Sequence, residues 1–252
     1  MSVNKFFLFG LILAITFSGC YRRSSNPEVR DAASPALETL VKTENSPLTY
    51  ILPSPRTTGS VSVEQALANR RSHRRFLNRE LSAEQLSQLL WAAYGITQPM
   101  PHQPGLRGGL RTTPSAGALF PLEIYVVVGN IRGIEPGVYR YDSREHKIIR
   151  VIDSDIRNEL SRAALGQTMV RDAPVTIVYT AVFSRMTRRY GERGRQYVWI
   201  EVGHSAQNVY LQAEALGLGT VAIGAFTDRR VSELLLLPRE EEPLYLLPVG
   251  FF

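Results

Sequence analysis

The chain has 252 residues, with 29 lysines and arginines against 23 aspartates and glutamates, giving a formal charge of +6. Its one cysteine, Cys20, lies near the start, which excludes a thiol nucleophile, a cysteine zinc site and c-type haem from everything after it. The mild basic excess suits an anionic cofactor, a membrane surface or nucleic acid and does not choose among them.

Taken in chain order, residues 1–19 read as a removable leader. Lys5 supplies a positive start, and Phe6 to Phe17 is an uncharged apolar run of 12 residues. A membrane span needs about 20, so the run suits a signal-peptide core. It leads through "FSGC" into Cys20, a stretch that resembles the lipobox of bacterial lipoproteins, with Cys20 as the acylated residue. An ordinary signal peptide with a chance cysteine is the alternative. Residues 20–56 are rich in Pro, Ser, Thr and Asn and read as a flexible tether. Residues 57–252 are then long enough for one well-cored domain. These features predict a lipid-anchored protein of the cell envelope.

Within the domain, "SVEQALANR" predicts a short helix, and "LSAEQLSQLLWAAYG" a stronger one. In the second, Ser82 caps the start, Gln85 completes a capping box, and Gly95 stops it. Residues 96–113, dense in Gly and Pro, read as loop. "LEIYVVVG" predicts a strand, "GVYRYD" and "KIIRVI" a hairpin pair, residues 155–165 a helix and "APVTIVYTAV" a buried strand. Tyr197 to Gly217 predicts a long central helix, with Trp91 and Trp199 as core residues. "LGTVAIGAF", residues 228–236 and "PLYLLPVGF" complete the chain as strand, helix and strand. The pattern predicts an α+β domain with a central mixed sheet flanked by helices.

Three stretches carry chemistry. "RRSHRRF" places four arginines in seven residues just before a helix. Arginine's planar fork meets phosphate bidentately, and Ser72 adds a hydroxyl, so a phosphate clamp competes with a plain solvated turn. No second basic cluster interleaved with stacking aromatics follows, which argues against nucleic acid. "RTTPSAGALFP" sets small residues after Pro114, either to admit a flat ligand or to pack a snug turn. "LGLGTVAIGAF" contains G-x-G-x-x-x-x-G running from helix into strand, the wrong spacing and order for a dinucleotide fingerprint. Gly217 reads as a helix C-terminal glycine. Glu201 and His204 form one E-x-x-H, too little for a di-iron centre and more simply a core hydrogen-bond pair. His102 is a candidate for a substrate mouth, and Tyr190, Arg193 and Tyr197 for a lid. His73 and His146 read as surface residues.

In order and spacing, "RRSHRRF", "PSAGALFPLEIYVV" and "EVGHSAQNVYLQAEALGLGTVAIGAF" resemble the nitroreductase family, most nearly its SagB-type dehydrogenase branch. The resemblance covers nearly all of Val61 to Gly250. It implies a nitroreductase-like fold, a homodimer, and FMN held non-covalently at the dimer interface. By the same resemblance, Arg70, Ser72 and Arg74 meet the phosphate and the polar edge of the ring. Pro114, Ser115, Ala116 and Ala118 lie against the isoalloxazine, and the backbone at Gly224 and Ala225 reaches flavin N5. The implied activity is hydride transfer through N5 between a small or peptide-like substrate and a second electron donor or acceptor. Many relatives carry a basic residue near the last strand, where this chain has Phe251. A flavin-binding or inactive surface lipoprotein of the same fold is therefore the alternative.

Overall fold

The computed structural model describes residues 48–252. The expected leader, Cys20 and most of the tether lie outside the described residues. The end of the expected tether belongs to the folded body: Thr49–Ile51 forms an edge strand, β1, and the Arg56 amide donates to Gln88 on a helix.

Seven strands form one sheet in the order β1-β6-β5-β4-β7-β9-β8. Here β4 is Leu122–Val128, β5 Gly137–Asp142, β6 Lys147–Ile152, β7 Val175–Ala181, β8 Gly219–Thr220 and β9 Glu242–Gly250. All pairings between these strands are antiparallel. The expected mixed sheet is met only by isolated parallel bridges, Ser72 to Thr220 and Leu81 to Ile131. The physical reason is that successive strands enter from opposite ends, by hairpin between β4, β5 and β6, and by helical excursions after that.

β4 and β7 are buried along their whole length because helices cover both faces. Side chains alternate between the faces. Ile124, Val126 and Val128 join one core with the helices α2 (Ala83–Tyr94) and α6 (Arg193–Ala215). Tyr125 and Val127 join the other with α3 (Arg157–Ala163) and α7 (Asp228–Leu234). Each fully buried Val or Ile contributes roughly 1.5–3 kcal/mol relative to exposure, so a charge introduced at Val126 would disrupt the sheet.

Local signals set the helix ends. Ser62 and Ser82 each accept from the amide of Gln65 or Gln85, whose side chain accepts the cap amide in return. The first of these boxes opens α1 (Val63–Asn69). Residues 96–113, expected as loop, contain a small hairpin of β2 (Ile96–Pro99) and β3 (Gly109–Arg111). Short helices α4 (Thr168–Asp172) and α5 (Ser184–Tyr190) precede β7 and α6. Gly194 lets α6 begin earlier than expected, because a Cβ there would meet the Met186 backbone.

Candidate functional site

The three chemistry-bearing stretches converge on the long helix α6. The arginine segment runs beside β8: Ser72 bridges Thr220, and the His73 amide donates to the Thr220 carbonyl. Tyr210 on α6 fastens this arrangement. Its hydroxyl lies 3.2 Å from Ser72 Oγ and accepts from the Ala222 amide at 2.8 Å, while Arg70 sits over its ring. Tyr210 thus ties the basic segment to the backbone two residues before Gly224. Sequence reasoning missed this residue, because a tyrosine on a helix carries no local mark of what its hydroxyl will hold.

Arg70 is half-buried, and Arg71, Arg74 and Arg75 are exposed. Among the described residues none of the four pairs with a carboxylate. Gly224 and Ala225 are exposed. Gly224 borders a cavity of about 410 Å³ with Trp199, Val202, Phe226 and Tyr245. A Cβ at Gly224 would stand in van der Waals contact, 3.5 Å from the Tyr245 ring.

The turn after Pro114 meets α6 at Glu201, about two and a half helical turns away from Tyr210. Ser115 Oγ donates to Glu201 Oε2 at 2.6 Å and accepts from the Phe120 amide at 2.9 Å. Tyr94 donates to Glu201 Oε1 at 2.5 Å. Gly117, Ala118 and Phe120 all take positive φ, which glycine adopts freely and the other two only at a steric cost, and which folds the turn tightly. A Cβ at Gly117 would meet the Tyr190 hydroxyl at 2.5 Å, so Tyr190 closes over this turn, with Tyr197 packed against it edge-on. Arg193 lies over the Tyr197 ring, and the expected lid residues are therefore neighbours.

Several expectations are corrected. His204 is exposed and does not pair with Glu201, whose partners are the two hydroxyls. Trp199 is 51% exposed, as is Ile200, so this part of α6 presents apolar surface. His146 is no surface residue: Ser87 Oγ lies 2.7 Å from its Nε2 and Tyr141 Oη 2.8 Å from its Nδ1. His102 is exposed, and His73 stacks on Phe252 with ring centres 3.6 Å apart. Tyr210 links Arg70 to Ala222, two residues before Gly224, and Ser115 is bonded to Glu201, next to Val202 of the Gly224 cavity. The cavity at Gly224 is lined by neither Arg70 nor Ser115.

Glu201 is 2% exposed. Burial pushes its carboxyl up to about 7, opposed by the hydrogen bonds from Ser115 and Tyr94 and by Arg111. It can hold or release a proton near neutrality directly behind Ser115.

A Nitroreductase family description matches residues 67–251. The chain is 46% identical over 190 residues to a nitroreductase-family protein of Methanocaldococcus jannaschii, covering 75% of this chain and 91% of the other. It is 37% identical over 113 residues to the trifolitoxin-processing protein of Rhizobium leguminosarum, covering 43% of this chain and 30% of that one. The NADPH-flavin oxidoreductase of Vibrio harveyi is 32% identical over 111 residues, 41% of this chain and 46% of the relative. A crystal structure of a nitroreductase-family protein from Ralstonia eutropha superimposes with a TM-score of 0.67 at 30% identity, covering 84% of this chain and 96% of that one. The fold, the arginine segment and the ordered match over nearly the whole described region together establish that this chain belongs to the nitroreductase family.

Proposed function

We propose that the chain is an FMN-dependent oxidoreductase acting as a homodimer on a small or peptide-like substrate. The observation that carries the reading is Tyr210, whose single hydroxyl joins the unpaired arginine segment to the backbone leading to Gly224. The residues fit the cofactor. Guanidinium groups without carboxylates suit a phosphate, and an open slot between Gly224 and the rings of Trp199, Phe226 and Tyr245 suits a flat ring system.

On this reading Arg70, Ser72 and Arg74 hold the phosphate, and the backbone at Gly224 and Ala225 offers amide donors to the ring edge. Bound flavin supplies the hydride chemistry at N5. The small turn of Pro114, Ser115, Ala116 and Ala118 belongs against a ring face. Because none of these four residues lines the cavity at Gly224, we assign the turn to the partner's ring across a dimer. The exposed Trp199 and Ile200 on α6 are the apolar surface such a dimer would cover. Glu201, holding Ser115 through a buried hydrogen bond, fixes the hydroxyl and stores a proton behind it.

The trifolitoxin-processing relative supports a peptide-like substrate, and the flavin oxidoreductase relative supports the cofactor. Purified protein with FMN should absorb near ~450 nm and bleach on anaerobic reduction. A colourless protein that leaves added FMN unbound overturns the reading. The alternative of a flavin-free surface protein draws on the C-terminal end, where Phe251 stands in place of a basic residue. Arg79 nevertheless lies 3.7 Å over the Phe251 ring, which brings a cation to that residue.

We further propose that Cys20 is acylated and holds the protein at the cell envelope. Metabolic labelling with a tagged fatty acid should mark the wild type and not Cys20→Ser, and equal label in both would refute the anchor.

A further inference from the structure

Away from the residues assigned to the flavin, two cavities share a wall. The larger, about 610 Å³, is lined by Trp91, Ile96, Pro99 and Pro101, together with His146. The smaller, about 250 Å³, is lined by Arg107, Arg111, Arg140 and Arg144 against Glu123 and Asp142. Ser143 and Arg144 border both. The Arg144 side chain crosses Gly108, where a Cβ would meet it at 2.9 Å, and its Nε donates to the Arg107 carbonyl.

The charges in the smaller cavity are unequal. Glu123 is shared among Arg107, Arg140 and Arg185 at 2.7–3.1 Å. Asp142 accepts the Arg144 backbone amide. Arg111 and Arg144 have no carboxylate at ion-pair distance among the described residues. Arg111 lies between the Tyr94 and Phe120 rings and donates to the carbonyls of Tyr94 and Arg107 and to Ser143 Oγ. Its Nε is buried with no partner. Glu201 and Glu241 stand farther back and are already engaged by hydroxyls. A buried guanidinium held by neutral groups is stabilised by an anion brought into its cavity, and a buried N–H without an acceptor has the same need.

We propose that the paired cavities form a binding site for a small amphipathic acid. Its carboxylate or phosphate head lies among Arg107, Arg111, Arg140 and Arg144, and its aromatic or aliphatic body lies against Trp91 and the prolines. The site is separate from the flavin residues but not isolated from them. Arg107 and Arg185 donate to the Phe120 carbonyl, at the exit of the turn that holds Ser115. Occupancy therefore bears on the position of that turn.

The test uses the full chain carrying Trp199→Phe, which leaves Trp91 as the sole tryptophan of the two present. Benzoate, phenyl phosphate, neutral benzamide and inorganic phosphate are titrated at constant ionic strength, with tryptophan fluorescence as readout and calorimetry on the wild type as a second measurement. Saturable binding of benzoate or phenyl phosphate is expected, each tighter than benzamide. Whichever acid binds more tightly identifies the head. Arg144→Gln, at an exposed position, should weaken it by about tenfold or more, and Arg70→Gln, outside both cavities, should leave benzoate binding unchanged. No saturation with either acid by about 10 mM, parity with benzamide, indifference to Arg144→Gln, or equal loss of benzoate binding in Arg70→Gln would each overturn the proposal. None of these outcomes depends on FMN binding, which the visible absorbance follows separately.

Discussion

Glu123 and Glu201 are both buried glutamates close to the same turn, and their surroundings drive them in opposite directions. Glu123 faces three arginines, and although burial alone would raise its pKa, they hold it down at about 2. Glu201 faces two hydroxyls, and burial pushes it up to about 7. The lesson is that burial alone does not decide the charge of a carboxyl: guanidinium partners overcome it at Glu123, and hydroxyl partners do not at Glu201. One residue serves as a fixed structural anion, the other as a proton-exchanging group.

The largest effect expected from breaking this contrast is at Glu123. Glu123→Gln leaves Arg107, Arg140 and Arg185 around a neutral amide and should cost about 3 kcal/mol in urea unfolding. That is the low end for a broken buried pair, because the arginine side chains are 25–49% exposed. A loss below about 1 kcal/mol would mean that solvent already screens the cluster.

The pH dependence separates the two residues by sign. Glu123 contributes stability above its unfolded pKa of ~4.5, lost as pH falls towards about 2. Glu201 keeps its proton in the native state up to about pH 7 while the unfolded chain loses it near ~4.5. Its contribution is full below ~4.5 and is lost as pH rises through 7, by about 3 kcal/mol. Glu201→Gln should flatten the stability profile between pH 4.5 and 7, and an unchanged slope would show that the proton resides elsewhere.

The smallest stability effect should come from the arginine segment. Arg74→Ala, on exposed backbone, should shift unfolding by less than about 0.5 kcal/mol yet weaken FMN affinity by about tenfold. A large loss of stability without loss of affinity would make the segment a structural turn.

The parts of the fold that were legible are those set by local chemistry. Ser62 with Gln65 and Ser82 with Gln85 announce their helices, because a capping box needs only residues three apart. The strand order was not legible, since the pairing of β7 with β4 and β9 depends on contacts across the whole chain. The β2–β3 hairpin was hidden because Pro and Gly at 99–109 signal loop, and its turn spans most of that stretch. At the site, the residue types were readable while their partners were not. Ser115 was identified, but its hold on Glu201 is 86 residues distant, and the nearer His204 points to the exposed side of α6. Arg111, Arg140 and Arg144 drew no notice because they are scattered in sequence and gather only on folding.

The phenol of Tyr210 also has a dynamic consequence. One oxygen contacts both Ser72 and the Ala222 amide, so a displacement of the Tyr210 side chain loosens the two segments together. Fraying of the last turns of α6 would loosen both, so on the proposed reading the release rate of FMN should follow local opening of the C-terminal end of that helix.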